Sequence, residues 1–568
     1  MLVIKRLLFI LILIASIAST KAQVNSVPAI STDYFRNPLD ITLYLAGDFG
    51  EIRPNHFHSG IDIKTNQREG YPVYAVANGY ISRLRVQIGG FGNAVYINHP
   101  NGVTSVYGHL QKFNEKLLSS VRYHQYKEQS FTTDFSLLPI EIQVKKGDII
   151  AWSGNTGGSS GPHLHFELRN TLTEETINPL TLGIKISDRI KPTINGFYLY
   201  QIDDAPFNEF TPKKYFQTVG SNGNYSLKQV IPVSGLFGFG ITAYDQMDGA
   251  ANHNGLFSTT IKLDDEVIYE TVISKFSFEN TRAVNAYIDY PSKIKTGIVI
   301  QKGFASPNPK VRFYSILKNN GLISLNDEAL HDVEYILKDY EGNTSILRFK
   351  IKSSGIKPPT YQPKGQLMSY KTVNNFENGP VKIIIPEGNL YDDLDFQYSV
   401  STQPSNGSSK IFHIHNKLTP LHDAYLLAIK PDDNLSPYLQ KLVVMNTESG
   451  SQGGEFKDGF VIAYPKTFGN FYLRVDSIAP TIVPVNVKEG ANFSQTSKMI
   501  FRISDNLSGI KSFKGSIDGQ WILMEYDYKT GKLWHTFDEK TSFGKHSFQL
   551  IVTDNKENEK TYSINFFR

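Results

Sequence analysis

The phrase Ile190-Lys-Pro-Thr-Ile194 returns with one change as Ile478-Ala-Pro-Thr-Ile482, and the same two signatures come after each copy in the same order. First comes a strand-like run ending in Asp-x-x-x-Gly, at Asp245 to Gly249 and at Asp505 to Gly509. Then Asp-x-x-x-Asn separates two alternating runs, at Asp339 to Asn343 and at Asp554 to Asn558. Alternation such as Phe548-Gln-Leu-Ile-Val-Thr-Asp554 and Tyr562-Ser-Ile-Asn-Phe566 places apolar side chains on one face, as paired, half-buried antiparallel strands require. A pattern that recurs in this way describes a repeated β-sandwich. Its aspartates stand where strands give way to turns, and turn chemistry accounts for them more readily than calcium binding does.

At 568 residues the chain is too long for one core. Its 44 glycines, 27 prolines and 12% aromatic content, with few long helical patterns, predict a mainly β protein. Proline-bearing linkers fall near Ile190-Lys-Pro192, across Ser353 to Pro363 and at Asp476-Ser-Ile-Ala-Pro480. They divide the chain into residues 23–188, 189–355, 356–476 and 477–568. The last unit resembles bacterial immunoglobulin-like domains, the second is a sandwich by the repeat, and 366–475 reads as a further β-domain of unknown kin.

Residues 1–22 read as a signal peptide: Lys5 and Arg6 are a basic start, Leu7 to Ala18 an apolar run, and Thr20-Lys-Ala22 a cleavage site. The apolar run is too short to span a bilayer as a helix, and an uncleaved anchor is the alternative. With no cysteine there is neither a lipoprotein anchor nor a disulfide. No later stretch approaches transmembrane length, so a periplasmic or secreted location is expected. Formal charge is +4, and removing Lys5, Arg6 and Lys21 leaves +1, which gives no reason to expect a nucleic acid.

Seven of the 14 histidines lie between His56 and His165, and three of them occupy two compact clusters, His58-Ser-Gly-Ile-Asp62 and His163-Leu-His165. Catalytic zinc takes imidazole nitrogen and carboxylate oxygen from three protein ligands and leaves a fourth position to water. Residues i and i+2 of a strand share a face, so His163 and His165 can both point into one site. Between the clusters, Asn93 to His99 and Val103 to Tyr107 read as a hairpin turned by Asn101-Gly102, with His109 emerging where the second strand ends. Gly154-Asn-Thr-Gly-Gly-Ser-Ser-Gly-Pro162 is a small-sided loop that admits a close peptide backbone.

His58-x-x-x-Asp62, Tyr107-Gly-His-Leu110 and Gly154-Asn-Thr-Gly-Gly-Ser-Ser-Gly-Pro-His-Leu-His-Phe-Glu167 resemble, in this order, the lysostaphin/LytM-type zinc metallopeptidases, metallopeptidase family twenty-three. The resemblance covers roughly residues 40–183. It implies the antiparallel duplicated hybrid motif fold, one Zn²⁺ per chain held by His58, Asp62 and His165, and a catalytic pair in His109 and His163. The implied chemistry is metal-assisted hydrolysis of peptide bonds in peptidoglycan. No HExxH occurs, so proton handling falls to His109 and His163, and the sequence does not say which takes and which gives a proton. His56 shares a face with His58 but stands outside the motif, as an exposed or supporting residue.

The alternatives are an idle scaffold of the same fold that binds or activates a cell-wall amidase, and a general secreted metalloprotease. His413, His415 and His422 form a second histidine group, read as the polar face of an exposed strand because no carboxylate cluster or glycine loop accompanies it. Where the family has a short connection after His109, this chain inserts residues 113–143, with a helix over Glu115 to Gln129 and a loop to Ile140. That insertion is a candidate wall or lid of the substrate groove. A chain cut to residues 23–188 is expected to fold and hold metal while exposing apolar surface.

Overall fold

The computed structural model describes residues 31, 33–203, 205–355 and 361–568, so the signal-peptide reading lies outside the described residues, as does part of the second linker. The protein is mainly β, as the alternating patterns predict. No helix among the described residues is long and apolar enough to cross a membrane.

The apolar side chains gather into four large cores. One runs from Phe35 to Ile186, a second from Ile194 to Ile351, a third from Met368 to Leu473 and a fourth from Val487 to Phe566. The first core underlies an antiparallel sheet whose strands run Leu45–Gly47, Ile61–Lys64, His163–Asn170, Val103–Gly108, Asn93–Asn98, Gly79–Val86 and Thr133–Ser136 in spatial order. Val103–Gly108 is buried at every position, which suits a central strand. The expected hairpin is present, with Gly102 at φ 80° in its turn.

The second and fourth cores each lie between two sheets. In both, the Asp-x-x-x-Asn segment links the longest hairpin: Leu330–Lys338 with Thr344–Ser353, and Lys545–Asp554 with Glu559–Phe567. The third core lies between two five-stranded sheets.

The insertion departs from expectation in one element. Its helix is present over Glu115–Glu128, capped by the Asn114 side chain, which accepts from the Leu117 amide. The stretch expected to be loop instead contains the strand Thr133–Ser136, paired with Gly79–Val86. Arg83 donates to both carboxylate oxygens of Asp134 across that pair, and Phe135 stacks on His124 of the helix with ring centroids 3.7 Å apart. Such cross-strand pairs stabilise an edge strand, and a four-residue strand leaves little periodicity to read.

The first and second cores are joined. Thr176–Ile177 pairs with Lys275–Phe276, and Phe49 and Phe57 are buried against Phe276, Tyr287 and Phe313. The fully buried Phe57 precedes His58, so a chain cut at residue 188 strips apolar packing from the residue next to a site histidine.

Candidate active site

Three adjacent strands carry the site. Asp62 of Ile61–Lys64 stands directly opposite His165 of His163–Asn170, and His165 stands opposite Gly108, the last residue of Val103–Gly108. Register therefore fixes Asp62 and His165 side by side, and His109 lies one residue beyond. His163 and His165 share a strand face as expected.

His58 arrives on the short segment between His56–Phe57 and Ile61–Lys64. That segment must pass close to the strand His163–Asn170: a Cβ on Gly60 would lie 2.4 Å from the Phe166 carbonyl oxygen, so only glycine fits. His56 is exposed, with Nδ1 2.9 Å from the Pro54 carbonyl, and takes no part.

Three donor atoms converge. His58 Nε2 lies 3.2 Å from His165 Nδ1 and 3.2 Å from Asp62 Oδ1, and His165 Nδ1 lies 2.8 Å from Asp62 Oδ1. Around an ion held at about 2.0 Å, tetrahedral ligands stand about 3.3 Å apart. The spacing is that of one triangular face of such a site. His58, Asp62 and His165, all buried, can hold a metal ion.

A second layer holds each of these side chains. His58 Nδ1 donates to the Asp48 carbonyl at 2.7 Å, His165 Nε2 donates to Glu167 at 2.8 Å, and Arg53 donates to Asp62 Oδ2 at 2.7 Å. These partners turn the remaining ring nitrogens and carboxylate oxygen toward the common centre, as supporting groups do around bound metals. Burial favours neutral His165, but hydrogen bonds to Asp62 and Glu167 outweigh it and carry its pKa up to about 9. A cation at the centre replaces that proton. Asp62 is held well below the usual carboxylate range despite its burial, chiefly by His58, His163 and His165. Glu167 is fully buried yet held at about 2, since Arg169, His165 and Ser59 outweigh desolvation.

His109 and His163 face each other with ring centroids 4.8 Å apart. His109 sits at φ 58° after its strand ends, and its Nδ1 donates to the Thr156 carbonyl at 2.8 Å. His163 Nδ1 donates to the Gly161 carbonyl at 2.8 Å. Both anchors belong to the glycine-rich loop, and both turn Nε2 away from that loop; that of His163 lies 3.4 Å from Asp62 Oδ1. Burial, aided by His165 and His163, pushes His109 down to about 3, so its imidazole is neutral at physiological pH. The loop is seated tightly, for Gly157 at φ 69° would drive a Cβ to 2.3 Å from the Gly92 amide nitrogen.

The second histidine group does not assemble. His413 is tied to Asn470 at 2.7 Å and Ser401 at 2.9 Å, His415 lies past the end of Ile411–Ile414 at φ 49°, and His422 meets Tyr391 at 3.0 Å.

The sequence reading missed Asp48, Arg53 and Glu167. Glu167 had a signal, standing two residues after His165 on the same strand face; Arg53 had none. Also missed is the neighbour of the insertion: Arg122 meets Glu525 at 3.5 Å, Tyr126 packs edge-on to Trp521 at 5.2 Å, and Lys529 donates to the Ser159 carbonyl at 3.2 Å. The C-terminal sandwich thus rests on the insertion helix and touches the glycine-rich rim.

Residues 56–126 and 136–179 match Peptidase family M23. This part of the chain is an M23 peptidase domain. The gap in the match falls inside the insertion. A metalloprotease of Haemophilus influenzae is 37% identical over 135 residues, which are 24% of this chain and 22% of that protein. The DD-carboxypeptidase/endopeptidase Mpg of Neisseria meningitidis is 35% identical over 22% of this chain and 23% of its own. The glycyl-glycine endopeptidase ALE-1 of Staphylococcus capitis is 33% identical over 21% and 26%. The chain therefore spans about a quarter of these relatives' lengths. Separately, residues 365–476 match a Zu5-like domain, which supplies kin for the third β-unit.

We expect Glu167→Gln to weaken metal binding about 10- to 100-fold, since a charged partner that raises ligand basicity is lost while the shape is kept. Competition against a chromogenic chelator measures this, and unchanged affinity would show that Glu167 does not support the site.

Proposed function

We propose that the domain is a zinc metalloendopeptidase acting on the peptides of peptidoglycan, with His58, Asp62 and His165 as ligands and His109 and His163 as the catalytic pair. The convergence of His58 Nε2, Asp62 Oδ1 and His165 Nδ1 beside two facing histidines, each anchored through Nδ1, carries this reading. Zinc held there supplies a Lewis acid that polarises a carbonyl and activates water near neutral pH. Zinc suits the set because two imidazoles and one carboxylate leave a position open.

The chain's own residues do the rest. Neutral His109 offers its free Nε2 as a base or hydrogen-bond acceptor, and its Nδ1 bond to Thr156 fixes the ring. His163, held through the Gly161 carbonyl, presents its Nε2 toward Asp62 Oδ1, 3.4 Å away. Arg53 and Glu167 keep Asp62 and His165 aimed. The glycine-rich rim leaves room for an extended peptide.

The relatives named as DD-carboxypeptidase/endopeptidase and as glycyl-glycine endopeptidase support a cell-wall peptide as substrate. With the signal segment, they support a periplasmic or secreted enzyme whose β-units, immunoglobulin-like in our reading, position it in the envelope. No site position is lost, which speaks against an idle scaffold. Purified sacculi incubated with the mature protein should release monomers from cross-linked muropeptides, while casein stays intact. Cleavage of casein alone would favour a general protease, and cleavage of neither an idle scaffold.

A further inference from the structure

Two other groups of side chains also bring possible ligand atoms together, and both fall at the repeated motifs. In the first sandwich, Asp188 from the linker, Asp245 from the Asp-x-x-x-Gly turn and Asp339 from the Asp-x-x-x-Asn turn bring carboxylate oxygens within 4.8 Å of one another. In the C-terminal sandwich, Asp476, Asp505 and Asp554 do the same from the equivalent places. The wiring is duplicated as well. Asn343 Nδ2 donates to the Asp188 carbonyl and to Asp339 Oδ2, at 3.2 and 2.7 Å; Asn558 Nδ2 donates to the Asp476 carbonyl and to Asp554 Oδ2, at 3.0 and 2.7 Å.

Turn chemistry accounts for part of this. Asp339 and Asp554 accept the Asn343 and Asn558 amides, and Asp505 accepts the Leu507 and Gly509 amides. It does not account for the rest. Asp245 and Asp476 are each 1% exposed, and each has an Oδ1 with no hydrogen-bond partner. Asp505 Oδ1 is also without one. A buried carboxylate oxygen with no partner costs stability, and three carboxylates together compound the cost. Neighbouring cations relieve it only in part: Arg189 is taken up by Asp248 at 3.0 Å, and the Lys556 ammonium, though near Asp476 and Asp554, donates to the Gly454 carbonyl. Burial, reinforced by Asp188, Asp339 and Asp48, pushes Asp245 up to about 9.

We infer that each repeated sandwich binds one calcium ion between its linker aspartate and its two turn aspartates. Oxygen-only donors with several carboxylates select a hard divalent cation over zinc or copper. Two opposite ligands about 2.4 Å from one calcium ion stand about 4.8 Å apart, which these groups satisfy, and carbonyls or waters complete the 6 to 8 oxygens it takes. The ion ties the linker ahead of each sandwich to two of its turns, stiffening the joint with the preceding unit. The first site is the tighter, since buried Lys556 lies near enough to Asp476 and Asp554 to offset part of their charge.

The test is equilibrium dialysis of the full mature chain against radioactive calcium from 0.01 to about 10 mM, a range spanning sensor and extracellular sites. Two ions per chain are expected. Asp245→Asn should leave one, Asp505→Asn should leave one, and the double variant none, with unchanged circular dichroism; Asp339→Asn replaces Asp245→Asn should the latter not fold. Asp248→Asn, outside the cluster, should keep both. The metal-free Asp245→Asn protein should melt no lower than the metal-free parent, because it replaces a carboxyl that burial and its acidic neighbours disfavour in the ionised form. No bound calcium in the parent, or undiminished binding in the double variant, overturns the inference. A stoichiometry of one, abolished by one single variant, overturns it at the other cluster.

Discussion

His58→Ala and His165→Ala should each lose the zinc ion and, with it, all measurable hydrolysis. Each variant leaves only two protein donors at a centre whose three atoms stand 2.8 to 3.2 Å apart. Each also takes a bond from a buried partner: the Asp48 carbonyl in one, and in the other the fully buried Glu167, which keeps only Ser59 and Arg169. Elemental analysis of dialysed protein should show one zinc per chain in the parent and near none in the variants. Full retention in both would remove the assignment, and loss in His413→Ala would transfer it to the group containing His415 and His422. Because Phe57 packs under Phe276, Tyr287 and Phe313, the comparison belongs in the full chain, not in a chain cut at residue 188.

The second large effect separates metal from chemistry. His109→Ala and His163→Ala should keep zinc yet lose about 100- to 10,000-fold in kcat, the usual contribution of a positioned acid or base. That loss corresponds to about 3 to 5 kcal/mol of barrier. Neither residue belongs to the ligand triangle, and their Nδ1 anchors on Thr156 and Gly161 belong to the loop, so metal affinity should be nearly unchanged. Single-turnover rates with a cross-linked muropeptide, measured beside zinc content, decide the matter. A variant that cleaves at the parent rate would show that its histidine has no catalytic part.

Much of this site was legible because it is local. His163 and His165 obey the two-residue period of a strand, and Asn101-Gly102 fixes the hairpin that delivers His109. Alternation in Phe548 to Asp554 likewise announced the C-terminal hairpin. The features that stayed hidden depend on long-range register. Arg53 reaches Asp62 only because two short strands fold back at His56, and Lys529 reaches the glycine-rich rim from the far end of the chain. The aspartates of the repeats were visible two at a time as turn residues. The third member of each set, Asp188 or Asp476, lies in a linker and joins them only in the folded protein.

The most direct test of the zinc peptidase reading is the chemistry of the ends it creates. Sacculi digested with the parent protein should gain free amino groups and cross-link-derived monomers by mass, in amounts that vanish with His58→Ala and fall steeply with His109→Ala. New reducing sugar ends without new amino groups would contradict it.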